Sequence, residues 1–159
     1  MNMTPTDANL ASAIQAGHPS GVRPQIAALC WRLRRGKIEV LLITSRDTRR
    51  WIVPKGWMMD GRQAHEAAEI EAWEEAGAKG KIAPQALGQF TYDKVHPSKP
   101  AQRCDVTVYP LRVLRLESRF PEQRERSRKW FSARKAARLV AEAELAEIIQ
   151  MAGQSLVKG

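Results

Sequence analysis

Cysteine, histidine and long apolar runs are all scarce in these 159 residues. The two cysteines, Cys30 and Cys104, sit in the strand-like runs IAALCW and RCDVTVY, which reads as two buried free thiols in a reducing compartment and not as a disulfide framework. No apolar run approaches the length of a membrane span, and the N-terminal MNMTPTDANLASAIQAGHPSG lacks the charged start and apolar centre of a signal peptide. The expectation is a cytoplasmic protein with no membrane partner. Neither a repeat nor a low-complexity segment is present. Of the three histidines, His18 and His65 carry no site signal, and His96 lies in the Pro-flanked DKVHPSKP, where an exposed imidazole is commoner than a base or a ligand. Acidic residues are also in deficit, 17 against 26 Lys and Arg, for a formal charge of +9 and a pI near 10.1. Such a surface attracts nucleic acid, an anionic membrane or a phosphate-rich small molecule, and charge alone does not choose among them.

What is present suits one domain with a real core, since 43% of residues are hydrophobic and only 6% are aromatic. Residues 1–20 read as a flexible polar lead-in and residues 21–159 as the domain. QIAALCWRLRRG turns at Arg35-Gly36 into KIEVLLITSR, a hairpin; RRWIVPKGWMMDG is a short strand broken by Pro54 that feeds a Gly-bounded loop. A helix follows from about His65 to Ala76 and stops at Gly77. KIAPQALGQFTYDK is read as one strand, VHPSKPAQR as a loop, and CDVTVYPLRVLRLES as a strand in which Pro110 marks a bulge or an edge. After the charged PEQRERSRK, Ser132 is a plausible N-cap for ARKAARLVAEAELAEIIQMAG, a helix broken near Ala141 to Glu142. Trp130 and Phe131 read as core. The order β-β-β-α-β-β-α predicts an α+β fold, a mixed sheet covered by helices on both sides.

The stretch GRQAHEAAEIEAWEEAGAKG holds five glutamates within ten residues. At about 100° per residue, Glu71, Glu74 and Glu75 share one sector of ~100° with Ala64, Ala67, Ala68 and Ala78, while Glu69 and Trp73 lie opposite and Glu66 and Glu69 read as ordinary helix charge. Like charges at this spacing each cost an isolated helix roughly 0.2–0.5 kcal/mol, more where small neighbours admit other backbone and exclude water. A cation is therefore expected beside them, either Lys or Arg from another element or a hard divalent ion such as Mg²⁺ or Mn²⁺, which clustered carboxylates suit better than zinc.

From Gly56 onward, GWMMDGRQAHEAAEIEAWEEAGA resembles the Nudix box, G-x5-E-x7-R-E-U-x-E-E-x-G-U with U apolar, over residues 56–78. The resemblance implies metal ligands at Glu71, Glu74 and Glu75, with the carbonyl of Gly56, and closure at Gly77. Two positions depart from the pattern: Arg62 stands where it has glutamate and Ile70 where it has arginine. In the family that pair braces the loop against the helix, so losing both leaves no orphaned partner, and packing by Trp57, Met58 and Met59 is expected to replace it. RPQIAALCWR, EVLLITSRDTRRWIVPKG, EEAGAKGKI and RSRKWF extend the similarity to the diphosphoinositol polyphosphate phosphohydrolase branch, and so to a Nudix fold with a mixed sheet in an α/β/α sandwich.

That resemblance implies hydrolysis of phosphoanhydride bonds in inositol pyrophosphates, diadenosine polyphosphates or polyphosphate, assisted by Mg²⁺ or Mn²⁺. Catalysis is assigned to Glu74 and Glu75, with Asp93 and Glu122 as alternative bases. Arg46, Arg50, Lys55, Arg126 and Arg128 are the substrate candidates, with Arg23 and Arg103 behind them, because polyphosphates are met by metals at the scissile group and by forked guanidinium contacts elsewhere. Two other readings stand beside this one: a diadenosine polyphosphate or nucleotide pyrophosphohydrolase, and a Nudix-fold binder of nucleotide or RNA. The retained glutamates argue against the binder, since carboxylates facing a polyanion serve no binding purpose. Nucleic acid thus ranks below a small-molecule substrate, and the chain is expected to act as a monomer or a homodimer.

Overall fold

The computed structural model describes residues 21–156. The expected lead-in at 1–20 lies outside them. The elements are β1 (Arg23–Arg34), β2 (Lys37–Thr44), β3 (Trp51–Ile52), β4 (Lys55–Trp57), α1 (Ala64–Ala76), β5 (Ala78–Ile82), β6 (Gly88–His96), β7 (Lys99–Leu116), β8 (Arg128–Ser132), α2 (Ala133–Leu139) and α3 (Ala143–Ser155). Among these residues no helix is long and apolar enough to cross a membrane.

All eight strands join one mixed sheet. β1 and β2 form the expected hairpin, with Arg34 opposite Lys37, and its tip places Arg35 and Gly36 at φ of 54° and 74°, the positive-φ pair of a tight two-residue turn. β1 also runs parallel to β7, from Arg23 opposite Cys104 to Trp31 opposite Arg112. Alternation along β1 splits the core: Ile26, Ala28 and Cys30 face α1, while Ala27, Leu29 and Trp31 face α2 and α3. A strand covered on both faces must be apolar on both, which is why β1 is buried without interruption from Pro24 to Trp31. Helices thus cover both sides of a mixed sheet, the α/β/α arrangement expected.

Local signals placed the helices well. Gly77 ends α1 at φ 64°, returning its N–H to the Ala72 and Trp73 carbonyls. The Ser132 hydroxyl accepts from the Lys135 N–H, and the break between α2 and α3 spans Val140 to Glu142. Both cysteines are buried free thiols, and burial pushes the Cys30 thiol up to about 12.

Four strand expectations need correction. KIAPQALGQFTYDK is two strands, β5 and β6, lying end to end along β7. The loop read at 95–103 is mostly strand, because β6 and β7 continue their pairing out to His96 opposite Lys99. β8 crosses part of the charged connection and pairs with β2, with Trp130 opposite Leu41. Pro110 marks neither an edge nor a bulge, since it sits inside β7 opposite Leu29. Its carbonyl accepts from Ala83 in the gap between β5 and β6. A strand residue's N–H and C=O leave on the same side, so the N–H that proline lacks would have pointed into that gap.

Candidate active site

β4 and α1 meet where the Gln25 end of β1 pairs with Trp57, putting Gly56 beside Ile26 and the acidic flank of α1. A Cβ at Gly56 would come within 2.4 Å of the Glu71 carboxyl group, so any side chain there would force that carboxylate to move. Glycine is what lets the carboxylate lie against the backbone. Glu71 and Glu75 are 8% and 7% exposed and lie close enough for each to act on the other's ionisation, and the Lys55 N–H donates to Glu75 Oε1 at 3.2 Å. Burial, and then the neighbouring Glu75 charge, push the Glu71 carboxyl up to about 8. Glu75 is likewise raised, by burial, against the pull of Arg126.

These two carboxylates border a cavity of about 230 Å³ whose walls are largely basic and aromatic: Arg46, Lys55, Lys94 and Arg126, with Trp57 and Tyr92. A second cavity of about 420 Å³ adjoins it, shares those four cations and Tyr92, and adds Arg50. Lys55 Nζ lies 4.7 Å from the Tyr92 ring centre, and burial lowers this amine to about 8. The Tyr92 hydroxyl donates to buried Gln25 at 2.8 Å. Arg23 and Lys94 both stack on Trp57, at 4.5 and 6.0 Å.

The remaining candidates are distributed unevenly. Glu74 does not line the cavity; its backbone carbonyl accepts from the Glu122 N–H at 3.0 Å. Among the described residues no three Asp, Glu, His or Cys side chains gather as a ready-made metal cluster, so the acidic centre is the Glu71–Glu75 pair. Arg128 turns away: it donates to the Ala76 carbonyl at 2.7 Å, capping α1, and stacks on Phe120. Arg126 borders the cavity but is bound to Glu75, Glu122 and Thr44. Arg50 pairs with Glu142. Asp93 is exposed and paired with Arg103, and His96 is exposed at the β6–β7 turn.

Arg62 is exposed, and Ile70 faces a separate cleft with Lys79 and Leu114. Neither reaches the carboxylates. Met58 and Met59 pack on the α1 side of the core and Trp57 on the other, as expected of a loop held by packing. Lys94 was not among the site candidates. Its signal was the period-2 alternation Phe90, Tyr92, Lys94, which puts it on the face of β6 that carries Tyr92.

The Nudix domain family model matches residues 23–151. The chain belongs to the Nudix family. Human diphosphoinositol polyphosphate phosphohydrolase 3-alpha is 33% identical over 122 residues, which cover 77% of this chain and 71% of that protein, so the similarity within the family runs to that branch. The crystal structure of a C. elegans Ap4A hydrolase binary complex aligns over 86% of this chain and 98% of that one, with a TM-score of 0.61 at 21% identity. The E. coli dihydroneopterin triphosphate pyrophosphohydrolase aligns over 82% and 94%, with a TM-score of 0.64 at 17% identity. These two agree in fold.

Proposed function

We propose that this Nudix-type pyrophosphohydrolase hydrolyses phosphoanhydride bonds in highly charged substrates, namely inositol pyrophosphates, diadenosine polyphosphates or polyphosphate, with Mg²⁺ or Mn²⁺. One observation carries the reading: two buried, neighbouring carboxylates open into a cavity whose other walls are largely Arg46, Lys55, Lys94 and Arg126 with Trp57 and Tyr92. Carboxylates that must share a proton when alone fit a hard divalent cation, which takes oxygen ligands and replaces that proton. Glu71 and Glu75 would hold it, with the Gly56 carbonyl beside them and Glu74 next along the helix. When bound, the cation supplies charge neutralisation at the phosphoryl group and an acidified water.

The chain's own residues do the rest. Arg46, Lys55 and Lys94 bring positive charge to the non-bridging oxygens of the phosphate chain, and the adjoining cavity with Arg50 gives a second phosphate group somewhere to sit. Glu75, at the cavity wall, is the better placed of the two proposed catalytic glutamates to take a proton from water. The aromatic rings at the site already carry cations, Arg23 and Lys94 on Trp57 and Lys55 on Tyr92, so recognition rests on phosphate charge and not on a stacked base.

Phosphate release from a panel of these substrates, with and without Mg²⁺, tests the proposal against Glu75→Gln and Glu71→Gln. Metal-dependent release lost in both variants supports it. Tight RNA binding by a parent protein that releases no phosphate would favour the binding-module reading.

A further inference from the structure

A carboxylate directs a reaction only if something fixes its orientation, and the box positions at 62 and 70 do not do so here. Arg126, just ahead of β8, does reach it. Its side chain is 7% exposed, and each of its three nitrogens has a partner: Nε donates to Glu122 Oε1 at 2.8 Å, Nη1 to the Thr44 carbonyl at 3.1 Å, and Nη2 lies 3.5 Å from Glu75 Oε2. The other Glu75 oxygen takes the Lys55 N–H, so the carboxylate is gripped from both ends. Glu122 is itself anchored to α1 through its N–H on the Glu74 carbonyl.

We propose that Arg126 is a positioning residue that sets the direction of the Glu75 carboxylate, with Glu122 and Thr44 as its anchors. A planar guanidinium held by a backbone carbonyl and a carboxylate is fixed in its plane. Releasing it would strip partners from Glu122 and Glu75 in a largely buried setting, which is costly. Arg46 is the contrast. Its side chain is 56% exposed and makes one bond, to a Glu125 that is 48% exposed, so exchanging that partner for a phosphate costs little.

The inference rests on the proposed hydrolysis for its kinetic readout, and a second readout needs neither substrate nor metal. Arg126→Gln, Arg126→Lys, Glu122→Gln and Arg46→Gln are compared for kcat and KM on the best substrate of the panel, and for Mn²⁺ binding by calorimetry without substrate. For Arg126→Gln, kcat and Mn²⁺ affinity fall roughly 10- to 100-fold, the usual cost of losing an outer-shell partner, with KM nearly unchanged. Arg126→Lys recovers part of the loss, Glu122→Gln shows a smaller loss of the same kind, and Arg46→Gln raises KM with kcat retained. Urea unfolding of Arg126→Gln, Glu75→Gln and the double variant in metal-free buffer gives non-additive effects. A raised KM with kcat and Mn²⁺ affinity intact in Arg126→Gln overturns the inference, as do additive unfolding effects. Should no substrate be cleaved, the hydrolase reading falls while the unfolding cycle still decides the role of Arg126.

Discussion

The two thirteen-residue helices on opposite faces of the sheet, α1 and α3, are held by different means. α3 buries Leu145, Ile148, Ile149 and Ala152, an ordinary apolar stripe. α1 buries five alanines together with Glu71 and Glu75. Alanine offers little apolar area, so α1 gains less from burial and is fixed by polar anchors: Glu66 on the Gln63 N–H, Glu122 on Glu74, Arg128 on the Ala76 carbonyl, and the Gly77 turn. Small residues let β4 and the sheet approach, and that closeness desolvates the glutamates. One helix is built for stability and the other for placing charge, so lesions in the two should separate stability from activity.

The largest effect is expected in α3. Ile149 is fully buried, and Ile149→Ala should cost about 2–5 kcal/mol by lost burial and a cavity. Urea unfolding measures it, and the folded fraction should keep its kcat. Gly56→Ala reverses the pattern: its Cβ would meet the end of a flexible carboxylate, so Glu71 swings aside. Activity and Mn²⁺ affinity should drop roughly 10- to 100-fold with a small change in melting temperature. A large loss of stability would show that the contact is rigid packing.

The third test uses pH. Glu71 is raised to about 8 from an ordinary 4.5, so the metal-free fold holds a proton that the unfolded chain releases near 4.5. Stability from that proton is complete below pH 4.5 and is lost as pH rises through 8. Lys55, lowered from 10.5 to about 8, acts in the next window, where stability is regained between pH 8 and 10.5 as the unfolded amine gives up its proton. The melting temperature of the metal-free protein should therefore fall from pH 5 to 8, and Glu71→Gln should flatten that fall. Added Mg²⁺ should oppose it, because the ion competes with the proton. The smallest effect belongs to Ile70→Arg, on the far flank of α1: a stability change within about 0.5 kcal/mol and unaltered kcat.

Much of this was legible locally. The 3-4 spacing of the glutamates put them on one side of a helix, Gly77 stopped it, and Ser132 started the next. The strand between Lys99 and Leu116 was harder, because its continuity through Pro110 depends on which neighbour lies beside it at that residue. β8 was hidden for a similar reason, since its polar residues become strand only by pairing with β2. The arginines were the least legible. Arg126 and Arg128 stand two residues apart, yet one grips Glu75 and the other caps α1, and nothing in their local pattern separates those ends.

By itself the sequence determined the acidic helix, its basic surroundings and the family, because periodicity, glycine stops and charge are properties of neighbouring residues. Only the tertiary structure decided that Glu71 and Glu75 pair while Glu74 stands aside, that the Glu71 carboxylate lies against Gly56, and which cations face the cavity. Those outcomes depend on burial and on partners brought together from distant parts of the chain, and both exist only once β1, β4, β7 and the turn before β8 have closed around α1.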